Sequence, residues 1–311
     1  MKKILLILGI IAFANFAFAQ DTASTDTIPP NWKIEGGVGL MLNHVGLYNW
    51  QGGGEPSFAA TLLYKGTFNY KKGKWTWDNY AELAYGVIRQ GKQDLTKSDD
   101  RWEIGSKAGH QINDKWDLNG FATLRSQFNE GFDPDDVNLK ISDLMAPGYL
   151  LVGVGANFKH QDWLNVNLSP ATGKFTFVMN DSLANFDVPD SDGNPTGKGK
   201  YGNDVGEKTR TEIGAYAKIN IKKEILENVT LNTQADFFTD YLNNFGAIDV
   251  TWNLALVMQV NKYLSATITT NLIYDEDIAI VLDRNNAGEP LRVGPAVQFK
   301  ETVGIGLTYK Y

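Results

Sequence analysis

The sequence predicts an all-β fold: a single closed antiparallel up-and-down transmembrane β-barrel of about twelve strands. Three observations carry this expectation. From Lys33 to Tyr311 apolar and polar residues alternate with period two, in runs longer than the roughly five or six residues of an ordinary soluble strand. Short and long connections between those runs alternate along the chain. Tryptophans and tyrosines gather at the strand ends beside the short connections.

Composition removes several classes. The 311 residues include no cysteine, 31 glycines, 8 Trp, 13 Tyr and 16 Phe. Without cysteine there is no disulfide framework, thiolate metal site, cysteine nucleophile or lipoprotein anchor. A formal charge of −7, falling to −9 once two leader lysines are lost, argues against nucleic acid as a partner. Mean hydropathy of −0.27 argues against a polytopic helical membrane protein.

Along the chain, Lys2 and Lys3 precede an apolar stretch from Ile4 to Ala14, and Ala17-Phe18-Ala19 then offers a signal-peptidase site. Residues 1–19 read as a signal peptide, and the polar, proline-bearing residues 20–32 as a flexible periplasmic arm. Residues 33–311 form the barrel. No later segment gives the run of about 18 apolar residues that a membrane helix needs.

Strands are expected to begin near Lys33, Ser57, Trp75, Arg101, Trp116, Met145, Leu164, Thr209, Val229, Asp249, Leu264 and Val297. The last is the clearest. Val303, Ile305, Leu307, Tyr309 and Tyr311 fall on one face, with Thr302, Gly304, Gly306, Thr308 and Lys310 on the other. The seventh run changes phase between Pro170 and Gly173, because Leu164, Val166 and Leu168 share one parity while Phe175, Phe177 and Met179 share the other. A bulge there restores the facing. Short turns lie near 71–74, 113–115, 160–163, 222–228 and 261–263, and longer loops include 46–56, 131–144, 180–208 and 276–296. This rhythm predicts an even-stranded barrel in the cell outer membrane with both termini in the periplasm. Trp32, Trp75, Trp77, Trp116, Trp163, Tyr263, Tyr309 and Tyr311 mark one interfacial girdle, and Phe58, Trp102, Phe128, Phe237 and Tyr274 a second. Alternation alone also fits an exported soluble sandwich. The loop rhythm, the gathered tryptophans and the alternating final strand favour the barrel.

Five segments carry a resemblance: 46–55 (GLYNWQGGGE), 72–79 (KGKWTWDN), 142–147 (SDLMAP), 168–174 (LSPATGK) and 271–277 (NLIYDED). They look like an uncharacterised Bacteroidota outer-membrane β-barrel family, domain of unknown function 3078. The resemblance implies a Gram-negative outer-membrane setting and brings no activity or site residues with it.

With the apolar face toward lipid, the opposite parity lines the interior. Candidates there are Glu35 and Lys65 on the first two strands, Asp78 and Glu82 on the third, and Arg101, Glu103 and Lys107 on the fourth. Arg125, Arg210, Glu212, Lys218, Asp236 and Lys300 follow on later strands. These charges suit either a narrow polar passage or a salt-bridged structural interior. The glycines in Trp50-Gln51-Gly52-Gly53-Gly54-Glu55 let the first long loop fold tightly, so Trp50, Gly52, Gly53, Gly54 and Glu55 are candidates for a constricting loop.

Nucleophilic catalysis would need a serine beside a base. None of His44, His110 and His160 has a serine two positions away, and the parity His110 shares with Trp102 and Ala108 points to interfacial packing. No catalytic or cofactor-binding residue is assigned, and a hydrolase is the competing class. Acidic loop clusters (Asp133, Asp135, Asp136; Asp187, Asp190, Asp192; Asp275, Glu276, Asp277, Asp283) read mainly as solvated turns. They leave a weak divalent-cation alternative, and 283–288 (DRNNAG) matches a calcium loop only in part. The sequence therefore predicts a narrow channel or transporter for small solutes or export cargo. Its alternative is a non-conducting structural or surface-interaction barrel whose long loops bind a partner. The partners expected are outer-membrane lipid and, during insertion, the barrel-assembly machinery.

Overall fold

The computed structural model describes residues 31–47, 55–133, 139–190, 194–278, 280–284 and 290–310. The leader and the arm up to residue 30 lie outside the described residues, as does Tyr311. Twelve strands form the barrel: β1 (Trp32–Val45), β2 (Ser57–Lys72), β3 (Trp75–Gln90), β4 (Thr96–Gln111), β5 (Trp116–Ser126), β6 (Gly148–His160), β7 (Leu164–Phe177), β8 (Thr209–Leu226), β9 (Val229–Asp240), β10 (Asp249–Gln259), β11 (Leu264–Tyr274) and β12 (Gln298–Lys310). Each pairs antiparallel with the next, and β12 returns to β1 through Gly37↔Lys310 to Leu42↔Ile305. Closure leaves the barrel no free edge.

The connections 73–74, 112–115, 161–163, 227–228 and 260–263 gather at one end, and 46–56, 91–95, 127–147, 178–208, 241–248 and 275–297 at the other. Short two-stranded ribbons, Gly131–Phe132 with Lys140–Ser142 and Ile280–Arg284 with Pro290–Gly294, stand within two of the long ones. Two strand starts differ from expectation. β4 begins at Thr96 rather than near Arg101, because a bulge between Gly86 and Val87 lets the polar stretch before Arg101 stay in the ladder. Its outward Asp100 is satisfied by Lys97 at 2.9 Å and by the N–H groups of Phe128 and Asn129 at 2.8 and 3.0 Å. β6 begins at Gly148 rather than Met145, whose φ of 54° does not continue a strand.

Side-chain facing follows from the pairing. Leu42, Leu62, Leu83, Ile104, Leu118, Val154, Leu168, Ile213, Trp252 and Ile305 point outward from ten different strands and are exposed, Val154 and Ile305 by 60 % and 62 %. The one described cluster of buried apolar residues, Ala146, Val178, Leu183, Ala184 and Tyr201, lies in the long connections and not inside the barrel. The usual order of a soluble protein, apolar within and polar without, is thus inverted. An apolar belt this continuous requires an apolar medium around it. No described helix is long and apolar enough to cross a membrane.

The phase change in β7 is a bulge. Thr172 pairs with Gly214 and Ser169 with Tyr216, so Pro170 has no register partner on β8, and on β6 the register likewise passes from Ala171 to Leu168. Pro170 has no N–H to lose. Its carbonyl accepts a hydrogen bond of 2.8 Å from the Tyr241 hydroxyl, which reaches from the end of β9 across β8. Leu168 and Phe175 therefore both face outward despite opposite parity. Close approach at this bulge demands glycine at 155, where a Cβ would come within 2.2 Å of the Leu168 carbonyl oxygen.

Leu254 faces outward on β10, paired with Thr233 and Thr270. Replacing Leu254 with Arg is expected to lower stability by about 2–4 kcal/mol if lipid covers mid-belt. Urea titration of the protein folded into vesicles measures this, and an unchanged midpoint would contradict the facing.

Candidate functional site: the barrel interior

All thirteen interior charges singled out above sit at inward register positions, but they divide between two unlike sectors. The β5 to β9 sector is packed. Asn157, Ser169, Thr172, Thr176 and Glu212 are all within 2 % of full burial, and Asp117, Asn119, Asn167 and Lys174 are also buried. On β1, β2 and the facing edge of β4 the inward charges are exposed. Lys65, at mid-strand, forms an ion pair with Glu82 and is still 67 % exposed; Lys33 and Glu35 pair at 3.0 Å and are exposed too. Arg101 is exposed as well and makes no ion pair among the described residues.

Three levels of contact build the packed sector. Near the long-loop end, the Lys174 ammonium reaches from β7 to Asp249 at 2.6 Å, Asp275 at 3.2 Å and Glu212 at 3.5 Å. Arg210 bridges Glu212 at 3.3 Å and Asp277 at 2.6 Å. At mid-height Tyr80 donates to Glu103 at 2.6 Å and Tyr216 donates to Asp236. Lys218 pairs loosely with Asp236 at 3.8 Å and lies 5.7 Å from the centre of the Tyr80 ring, while Phe121 and Tyr216 have ring centres 5.4 Å apart. These contacts join β3 and β5 to β8 across the lumen. Arg125 covers the Tyr149 ring at 4.8 Å, and Lys107 pairs with Asp78 at 3.4 Å. Toward the short-turn end, Asn157 donates to Asp117 at 3.1 Å and Asn167 to Asn119 at 3.0 Å.

Among the described residues the open sector has one crossing of its own. Lys300 on β12 reaches Asp99 and the Ser98 carbonyl on β4, each at 3.1 Å. Below it the wall carries mostly small residues, with Gly37, Gly39, Gly304, Thr267 and Thr302 at inward positions, and the buried Met41 side chain lies over Gly304 and Gly306.

The long connections form a cap over the packed side. A helical turn, α1 (Asp181–Ala184), is held by the Asn180 side chain, which accepts from the Ser182 and Leu183 N–H groups and donates to Asp143 at 2.8 Å. Tyr201 donates to the Ile141 carbonyl, and burial pushes its hydroxyl pKa up. Gly202, at φ +73°, rests on the Arg210–Asp277 pair, and a Cβ there would lie 2.1 Å from Arg210 Nη1. Partial burial works to raise the Asp143 pKa, but the Leu144 N–H, Lys140 and Asn180 outweigh it and hold that carboxyl below its ordinary value.

The structure also relocates several residues. Glu55 turns its carboxylate toward Gly91 in the neighbouring connection, while Trp50, Gly52, Gly53 and Gly54 lie outside the described residues. His110 packs edge-on against Trp75 at 4.7 Å on the outer wall, and His160 lies between Phe158 and Trp163. Asp187 accepts the N–H groups of Thr196 and Gly197 at 3.0 Å, and Asp190 that of Asn194 at 2.8 Å, so both organise turns. Asp275 and Asp277 belong with Asp249 to an interior carboxylate group within 4.8 Å, into which Lys174 and Arg210 insert their charges. Asp135, Asp136, Asp192 and 285–288 lie outside the described residues. Lys174, Tyr80, Tyr216 and Phe121 are interior residues that sequence reading missed. Following the parity of Thr172 and Thr176 through the bulge identifies Lys174.

Residues 42–132 match the family described as "Protein of unknown function (DUF3078)". That span holds the first two resembling segments and runs from the end of β1 to the start of the β5–β6 connection. No curated protein matches the chain. Among solved structures the fold is similar to an outer membrane channel from Pseudomonas putida F1 (10 % identity, TM-score 0.40, covering 94 % of this chain and 100 % of that one). It is similar also to the translocator domain of the autotransporter NalP from Neisseria meningitidis (11 %, 0.35, 97 % and 98 %) and to the NanC porin (8 %, 0.36, 90 % and 100 %). The strand number and register stated above rest on the pairing itself.

Because the Asp143 pKa is lowered by folding, its contribution is present above the ordinary carboxylate range of about 3.9 and is lost as pH falls through the lower folded value. Hydrogen exchange should show segment 139–147 losing protection below about pH 4 while the strands keep theirs. Asp143→Asn should loosen the same segment at neutral pH. Retained protection in both tests would contradict this role.

Proposed function

We propose that the barrel spans the outer membrane with its apolar belt in lipid and its short turns and both termini on the periplasmic side. We infer further that it carries small polar solutes through a narrow passage along β11, β12, β1 and β2. The observation that supports this reading is Lys65. An inward side chain at mid-strand that stays 67 % exposed needs a water-accessible space beside it; Gly37 and Gly39 on β1 add no bulk to that space, and Met41, folded over Gly304 and Gly306, bounds it. Lipid around the belt requires all backbone polar groups to be satisfied in the ladder, which the closed ring does. The passage is narrowed by the Lys300–Asp99 bridge at its long-loop end, so small solutes fit it better than folded cargo.

A second reading is a non-conducting barrel whose long connections bind a partner; the cap with its own buried cluster favours it. Planar-bilayer recording separates the two. The first reading expects small, discrete conductance steps, and larger steps for Lys300→Ala because the bridge is gone. Folded protein that inserts and never conducts would leave the second reading.

A further inference from the structure

The turn joining β2 to β3 has an unusual sequence, Lys71-Lys72-Gly73-Lys74-Trp75. Gly73 sits at φ +59°, which permits a tight two-residue turn with Lys72 and Lys74 flanking the glycine. The connections 112–115, 161–163 and 227–228 each contain an acid, Asp114, Asp162 and Glu227; this turn and 260–263 have none, and 260–263 carries a single lysine, Lys262, where this one sets Lys71, Lys72 and Lys74 close in sequence. Neither Lys72 nor Lys74 forms an ion pair among the described residues. Both border an open crevice of about 610 Å³, whose other walls are Tyr70, Gly73, Trp75 and His110. Tyr70, Lys72, Trp75 and His110 all stand at outward register positions. The crevice is therefore on the outer wall, where the belt ends: Phe68 and Trp77, one step further along the strands, are exposed apolar residues.

From this placement we infer that the crevice is a binding site for the headgroup of an anionic phospholipid. Two uncompensated ammonium groups select a phosphate-bearing head. The Trp75 ring, 62 % exposed and braced at 4.7 Å by His110, offers an amphipathic surface at headgroup depth. The adjoining apolar belt accepts the acyl chains. A ligand with a charged head and two apolar tails satisfies all three surfaces at once, and a free anion satisfies only the lysines.

This site rests on the membrane-spanning part of the proposed function and is independent of conduction. The test is native mass spectrometry of the folded full chain in detergent, with phosphatidylglycerol, phosphatidylcholine or inorganic phosphate added. Phosphatidylglycerol is expected to be retained over phosphatidylcholine by about twenty-five-fold, two lysines each contributing roughly fivefold. The Lys72→Gln/Lys74→Gln variant should lose that preference, and Lys262→Gln, at another short turn, should keep it. Where the double variant fails to show the heat-modifiable migration of a folded barrel, Lys74→Gln alone should lose about fivefold. Equal retention of the two lipids, or a preference that survives loss of the lysines, overturns the site. Inorganic phosphate retained as well as the lipid also overturns it, in favour of a free-anion site. A chain that stays compact and soluble without detergent would instead defeat the membrane reading itself.

Discussion

A closed antiparallel ring fixes the facing of all its strands together, because each ladder is shared and the last strand must meet the first in register. In this chain that constraint reaches down to single residues. The unbroken alternation of β12 pairs on one side with β11 and on the other with β1, so Ile305 faces outward because Ala266 and Leu42 do. Where the sequence changes parity, in β7, the ring is preserved only by looping out Pro170, and the Tyr241 hydroxyl then satisfies the carbonyl that the ladder leaves over.

Polar groups directed inward must still be accommodated, and the interior does so in two ways. Between β5 and β9 they pair with one another, although Asp117 Oδ1, Asn119 Nδ2, Asn157 Oδ1 and Asn167 Oδ1 are buried without a hydrogen-bond partner among the described residues. Lys174 answers three carboxylates, and at mid-height Tyr80 packs under Lys218 while Tyr216 packs on Phe121. Between β12 and β2 they remain exposed, and paired charges such as Lys33 with Glu35 stay open to water. Such exposed pairs contribute little stability, roughly 0–1 kcal/mol. Taking one partner from a buried group such as Lys174–Glu212 is far more disruptive, because a charge is left uncompensated. Rigidity and hydration are thus assigned to opposite sides of one ring.

Much of this was legible in the residues. Period-two alternation gave the strand count, the phase at Leu168 and Phe175 gave the bulge, and the loop rhythm separated the two ends. Boundaries slipped where alternation is weak: Thr96 to Asp100 is uniformly polar, and only its pairing with β3 shows that it is strand. Interior charges could be placed by parity, yet parity carries no information about which of them meet. Lys300 and Asp99 lie four strands apart around the ring, and Tyr80 and Lys218 five. Contacts between such distant strands depend on how the cross-section is shaped, and no local pattern encodes that. Inward aromatics were missed for a related reason, since Phe121 and Tyr216 look like lipid-facing residues until their partners fix the register.

The uneven interior has a consequence for how such a chain can diverge. Side chains on β5 to β9 interlock, so a change in one demands compensation in several others, and that half will vary slowly. Positions such as Gly37, Thr267 and Thr302 on β1, β11 and β12 belong to no ion-pair group, and a substitution there alters the size and charge of the inner wall while the scaffold stays intact. Descendants of one ancestral barrel therefore diverge most readily along three strands, with the remainder serving as an inherited frame.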